Sequence, residues 1–205
     1  MINSYLTEVN TSIVKRSNVK GMTHIAPKVN IALDYKKYNI EREKIYINDT
    51  IVEDIYSSSL GYVLVSKVKP ESSDITIKTI FEDRLNILRS MTSRLLIESV
   101  LDKYFRLKPV RFYTGIEKSS FNINGVYFDN DAREIIQLLE RNINSYIKFD
   151  IKIFKDKDKN LTAIPGLIRK DFIDYTLSSI NEINSFKIES YKFNSNGIEI
   201  VYILN

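Results

Sequence analysis

Over residues 1–80, apolar positions recur every second residue or in short β-branched and aromatic runs, a pattern that predicts strands. Six segments carry it: TSIVKRS, KVNIALDY, KIYIND, TIVEDIY, YVLVSKV and DITIKTIF. Turn formers separate several of them, at Asn48-Asp49, from Ser57 to Gly61, and from Lys69 to Asp74 around Pro70. Short strands with turns at this spacing predict a small β-barrel or a two-layer sheet.

The period then lengthens. Leu85, Leu88, Met91, Leu95, Leu96, Val100, Leu101 and Phe105 recur at helical spacing, which predicts one helix over 82–107 with Pro109 stopping it. VRFYTGI and SSFNI read as a hairpin pair continued by GVYF. Asn130 is placed to cap a second helix reaching about Tyr146, with Ile135, Leu138, Leu139 and Ile143 on one face. IKFDIKIF reads as a strand, KDKDKN as a charged hairpin tip, and 171–183 as a short helix or loop. SFKIESYKF and GIEIVYIL form a terminal hairpin around Asn194 to Gly197. The expected fold class is therefore α+β. A small N-terminal β-barrel lobe, residues 1–80, is packed on a C-terminal α+β lobe, residues 81–205, that has an antiparallel sheet and two main helices.

Composition narrows the chemistry. The chain of 205 residues has no cysteine and one histidine, His24. Disulfides and thiolate metal sites are excluded, and a zinc site would have to be built almost wholly from carboxylates, so no metal and no cofactor is expected. No apolar run approaches the roughly 18 residues of a membrane span. The start, MINSYLTEVNTSIVKRS, lacks a basic segment followed by an apolar one, and a cytoplasmic location without membrane association is expected. Neither a Walker loop nor a Gly-x-Gly-x-x-Gly motif occurs, and His24 in GMTHIAP would be the only base for a Ser-His-Asp arrangement. Glu82 and Asp83 are adjacent and face different ways on a helix, so they make a poor acid/base pair. Tyr113, Tyr127, Tyr146, Tyr175 and Tyr191 offer either stacking surfaces for bases or ordinary sheet packing.

The net charge is +4, unevenly spread. Segment 84–111 holds seven basic residues against Glu98 and Asp102, and segment 141–170 holds eight against three acidic ones. Converging, such surfaces attract phosphate backbones; apart, they are solvated faces. The candidates are Arg89, Arg94, Lys103, Arg106, Lys108 and Arg111, with Lys152, Lys155, Lys157 and Lys159 on the charged hairpin.

Residues 84–123, RLNILRSMTSRLLIESVLDKYFRLKPVRFYTGIEKSSFNI, resemble the core of the alanyl-tRNA editing family, the AlaX-type domain related to the editing domains of alanyl- and threonyl-tRNA synthetases. NSYLTEVNTSIV, ALDYKKYNIE and KIYINDTIVEDIY are similar to its N-terminal segments. From Ile164 on, the chain is similar to its C-terminal part, with Ser178, Ser179, Glu182 and Ile183 where the loop after the metal ligands would put them. The family carries His-x-x-x-His on its helix and Cys-x-x-x-His later. The matching positions here are Met91, Leu95, Phe172 and Thr176, none of which can hold zinc. The family's Gly-Gly-Gly-Gln loop is missing, since Glu41 runs through Arg42 and Glu43 straight into the strand at Lys44, and the hairpin histidine is Tyr113. Gly115, Glu117, Ser119 and Ser120 remain. The resemblance implies a pocket formed by the four former ligand positions together with Tyr113, Gly115, Glu117 and Ser120; no catalytic residue is assigned.

These readings lead to a degenerate editing-like protein that has lost zinc-dependent deacylation and binds tRNA or aminoacyl-tRNA. Two alternatives stay open: a metal-independent aminoacyl-tRNA deacylase, and a structural or regulatory partner of a larger protein. The oligomeric state is not read from the sequence.

Overall fold

The computed structural model describes residues 5–205. Asn3 and Ser4, the start of the segment that resembles the family's opening strand, lie outside the described residues. The fold is mixed α/β, mostly strands, with three α-helices among the described residues. It divides into two compact units, one of residues 5–34 and Arg42–Leu85, the other of Tyr35–Glu41 and Asn86–Asn205.

The first unit is one curled antiparallel sheet, a half-barrel. Its strands are β1 (Glu8–Val19), β2 (Met22–Pro27), β3 (Ile45–Ile47), β4 (Thr50–Ile51), β5 (Asp54–Ser58), β6 (Gly61–Ser66) and β7 (Asp74–Thr79), in the order β4-β3-β7-β1-β2-β6-β5. The twelve-residue β1 is shared: its first part pairs with β7 and its second with β2, with a register shift between Ile13 and Lys15 where the strand bends. The curl shows at TIVEDIY, read from sequence as one strand. The Val52 amide donates to Ile45 of β3 at 2.8 Å and the next amide, Glu53, donates to Val65 of β6 at 2.7 Å. One step of chain thus spans strands near opposite ends of the sheet.

KVNIALDY is not a strand. Ile31 and Leu33 are buried, as the alternation requires, but no neighbouring strand takes their backbone groups. The Asn30 side chain accepts the Ala32 amide, and the Ile31 carbonyl accepts from Arg84. Arg84 belongs to the first turn of α2 (Phe81–Phe105) and is fully buried. Its Nε reaches both oxygens of buried Glu43, at 3.1 and 2.9 Å, and Thr79 donates to the same carboxylate at 2.9 Å.

In the second unit a four-stranded antiparallel sheet runs β13 (Phe186–Asn194), β14 (Gly197–Leu204), β9 (Ser119–Asn124), β8 (Pro109–Tyr113). A smaller sheet has the order β10 (Phe154–Asp156), β11 (Leu161–Ile164), β12 (Ile168–Lys170). GVYF does not extend β9. Gly125 turns at φ 145°, and α3 begins at Asp129 with Phe128 ahead of it, its amide held by Asp131 at 3.2 Å, so Asn130 lies inside the helix (Asp129–Ile147) and is not its cap. IKFDIKIF contributes only β10 at its end, and 171–183 is loop closed by a short 3-10 turn, Ile180–Ile183. Helix α3 buries Ala132, Ile135, Leu139, Ile143 and Ile147 on one face, while its Asn144 and Glu140 take the Phe186 and Ile188 amides along the free edge of β13. That edge is thereby blunted against pairing with another chain.

The short α1 (Tyr35–Tyr38) and residues 39–41 belong to this unit, although the sequence places them with the N-terminal strands. Thr114 explains why: it accepts the Glu41 amide at 2.7 Å and donates its own to Asn39 at 3.0 Å.

Candidate functional site

Helix α2 positions the site. Residues Ile87, Leu88, Met91, Leu95, Leu96, Ile97, Val100 and Leu101 are buried, and so are Ser90, Thr92, Ser93 and Ser99 between them. A helix buried on all sides must satisfy its polar groups internally. Thr92 and Ser93 do so by donating to the carbonyls one turn back, at 2.8 and 2.9 Å.

Of the four positions that the resemblance sets against metal ligands, Met91 and Leu95 are each 1% exposed and sit in close-packed helix core. Thr176 is also fully buried, and its neighbour Leu177 donates its amide to the Thr92 hydroxyl at 2.9 Å, which docks this loop on α2. The Thr176 hydroxyl itself has no hydrogen-bond partner among the described residues. Phe172 is drawn elsewhere: it is half-buried and its amide donates to Asn160 at the tip between β10 and β11, at 3.2 Å. The polypeptide therefore brings Thr176 beside the helix that carries Met91 and Leu95, and ties Phe172 to the charged hairpin.

Next to Met91 lies Arg94, half-buried over the Phe112 ring at 4.5 Å. Its Nη1 donates to the Tyr38 carbonyl at 2.8 Å and approaches Met91 Sδ and Thr114 Oγ1 at 3.5 Å. Burial pulls the guanidinium below its usual range, opposed by Tyr202, Glu98 and Tyr38. The Tyr38 ring meets Tyr175 edge-on at 5.6 Å. Lys155 approaches the same loop, donating to the Asp174 and Thr176 carbonyls at 3.3 and 3.2 Å, and burial lowers its pKa as well.

The hairpin candidates separate by strand alternation. Ser119 is buried and its hydroxyl meets Ser90 at 2.6 Å, Ser90 meets the Tyr202 hydroxyl at 3.2 Å, and the Gly115 amide donates to Ser119 at 3.0 Å. Ser120 is on the other face of β9, paired with Tyr113. Gly115 is needed for space: a Cβ there would lie 1.9 Å from the Lys118 carbonyl oxygen. Gly115, Glu117, Ser90, Ser119 and Tyr202 line a void of about 10 Å³, room for a single water. Exposed Tyr113 has its phenol pKa raised by partial burial and by Glu41. Ser90 and Tyr202 were not singled out from sequence; a serine inside an apolar helical stripe was the available signal for the first.

A cavity lies at the C-terminal end of α2. It measures about 620 Å³, and Lys103, Arg106, Lys108 and Lys170 line it with Glu98 and Asp102, over apolar Leu107, Pro109 and Leu167. Lys170 pairs with Glu98. Lys103, Arg106 and Lys108 are exposed and make no ion pair among the described residues; Lys103 donates to the Tyr146 hydroxyl at 3.1 Å, which raises its pKa. The other basic candidates do not join them. Arg89 is half-buried and clips the 3-10 turn through the Glu182 carbonyl at 3.0 Å. Arg111 is exposed in β8 with φ 51°, outside the cavity lining. Lys152 and Lys159 pair with Asp150 and Asp156, and Lys157 is exposed on the hairpin tip. Lys170, counted from sequence in the basic segment 141–170 but not among the binding candidates, joins the cavity lining.

Among the described residues, no three His, Cys, Asp or Glu side chains gather where they could hold a metal ion, and no helix is long and apolar enough to cross a membrane. Set against known proteins, the chain matches no family model and no curated protein, and its function is argued from the arrangement above.

Proposed function

We propose that the chain is a degenerate aminoacyl-tRNA editing-like protein, a β-barrel-type lobe with an editing-type α+β lobe, that binds tRNA or aminoacyl-tRNA without zinc-dependent deacylation. The observation that carries the reading is the 620 Å³ groove where Lys103, Arg106 and Lys108 converge with no carboxylate partners among the described residues. Unpaired cations on one wall fit a phosphate backbone, whose neutralisation releases counterions. Tyr104 beside them is 46% exposed, with the Lys103 ammonium 5.2 Å from its ring centre, and supplies an apolar surface on which an unpaired base can stack. Binding is favoured over hydrolysis because Met91 and Leu95 are packed core and leave no open cleft at those positions.

Filter binding of bulk tRNA against salt tests this. The affinity falls with rising salt, and the Lys103→Ala, Arg106→Ala, Lys108→Ala triple variant shows a log-log slope shallower by about 2–3. A flat salt dependence, or a triple variant that binds like the parent, would overturn the proposal. Turnover of a charged tRNA in the presence of chelator would move the assignment to a metal-independent deacylase.

A further inference from the structure

The second unit holds a cation that no carboxylate contacts among the described residues. Arg94 is half-buried, and no Asp or Glu oxygen lies within 4.0 Å of it among the described residues. Its Nη1 is used by Tyr38, Met91 and Thr114, but Nε and Nη2 have no acceptor among the described residues, and neither is among the fully buried atoms, so both stay reachable from solvent. The nearest acid along its helix, Glu98, is committed to Lys170. A guanidinium fixed in place with its open edge facing solvent is preorganised to take two oxygens of one anion.

Two further observations fall on the neighbouring loop. Thr176 buries a hydroxyl that has no hydrogen-bond partner among the described residues. Lys155 is a second half-buried cation with no carboxylate within 4.0 Å among the described residues, and it points its ammonium at the carbonyls of Asp174 and Thr176. This loop is joined to the Arg94 environment twice, by the Tyr175 ring against Tyr38 and by Leu177 on Thr92. Arg94 is not in the lining of the basic groove.

We infer that Arg94 anchors a site for a small oxyanion, a carboxylate or a phosphate monoester, taken side-on by Nε and Nη2, with the Thr176 hydroxyl of the adjoining loop and the ammonium of Lys155, which reaches that loop from β10, completing the donor set. The fork geometry of guanidinium suits two oxygens of one planar or tetrahedral anion.

The test uses the full chain without RNA. Sodium acetate and inorganic phosphate are titrated separately against chloride at constant ionic strength, following the Arg94 Nε–H resonance and Tm. The expected result is a saturable shift and a rise in Tm with at least one of the two. Arg94→Met abolishes both effects, and Arg94→Lys weakens binding about tenfold or more because charge survives and the fork does not. Thr176→Val, isosteric and folded by the same spectra, weakens binding severalfold and serves if the Arg94 variants do not fold. Response to acetate alone assigns a carboxylate ligand, and response to phosphate alone a phosphate monoester. Identical spectra and Tm in acetate, phosphate and chloride, or an Arg94→Met protein that titrates like the parent, would overturn the inference.

Discussion

Arg84 and Arg94 lie ten residues apart on one helix and show two ways of keeping a guanidinium out of water. Arg84 is 1% exposed and saturated, with Glu43 on one side and the Leu6 and Ile31 carbonyls, at 3.1 and 2.8 Å, on the other. Arg94 is half-buried, meets one carbonyl and an aromatic face, and leaves two nitrogens open. The first fastens the start of the helix to the curled sheet. The second is held in place but keeps an open edge. The two differ in how fully their hydrogen bonds are satisfied by the protein.

The largest effect belongs to the saturated pair. Arg84→Met strands Glu43 as a buried, unpaired carboxylate and costs about 3–5 kcal/mol in urea unfolding, much of it recovered in the double variant with Glu43→Leu. A loss below about 1 kcal/mol would erase the contrast between the two arginines. Next comes Leu95→Ala, expected to cost about 2–5 kcal/mol because packed core relaxes only partly around a cavity. A near-neutral result would mean that the helix beside Arg94 borders an open cleft.

Tyr202→Phe removes one link of the Ser90 hydroxyl network and costs about 1 kcal/mol near neutral pH. Burial raises the Tyr202 pKa above its ordinary 10.0, with Ser90, Arg94 and Ser119 opposing. Above pH 10 the unfolded chain therefore loses this proton while the folded chain keeps it, and stability falls as pH rises. The parent's advantage over Tyr202→Phe accordingly shrinks in denaturation series above pH 10, and an advantage that stays constant with pH would show the phenol titrating alike in both states. The smallest effect is Arg94→Met in buffer without oxyanions, within about 1 kcal/mol of the parent, because no ion pair is broken. A loss as large as that of Arg84→Met would make both arginines structural.

Several elements were legible from pattern alone. The long helix, the second helix, the terminal hairpin and the charged tip all occur near their expected positions, because each has a local period or turn signal. KVNIALDY failed because its alternation reports burial of Ile31 and Leu33, not strand pairing, and its backbone is satisfied by Asn30 and Arg84. TIVEDIY failed because a single period runs through Val52 and Glu53, where the chain changes partner strand. At the site, the apolar character of Met91 and Leu95 was readable as helix core. The basic residues were readable as a set, but not which of them converge: Lys103, Arg106 and Lys108 meet Lys170, whereas Arg89, Arg94 and Lys155 fold inward onto carbonyls.

The sequence by itself determined the two main helices, the terminal hairpin and the lack of thiolate or multi-histidine chemistry, since local periodicity and residue identity need no partner to be read. Only the tertiary structure decided that the strands curl into a half-barrel, that Thr176 is buried without a hydrogen-bond partner among the described residues, and that one arginine of two is left with open donors. Those outcomes depend on which distant groups arrive to fill each hydrogen bond, and hydrogen-bond satisfaction is a property of the assembled interior that no stretch of chain records alone.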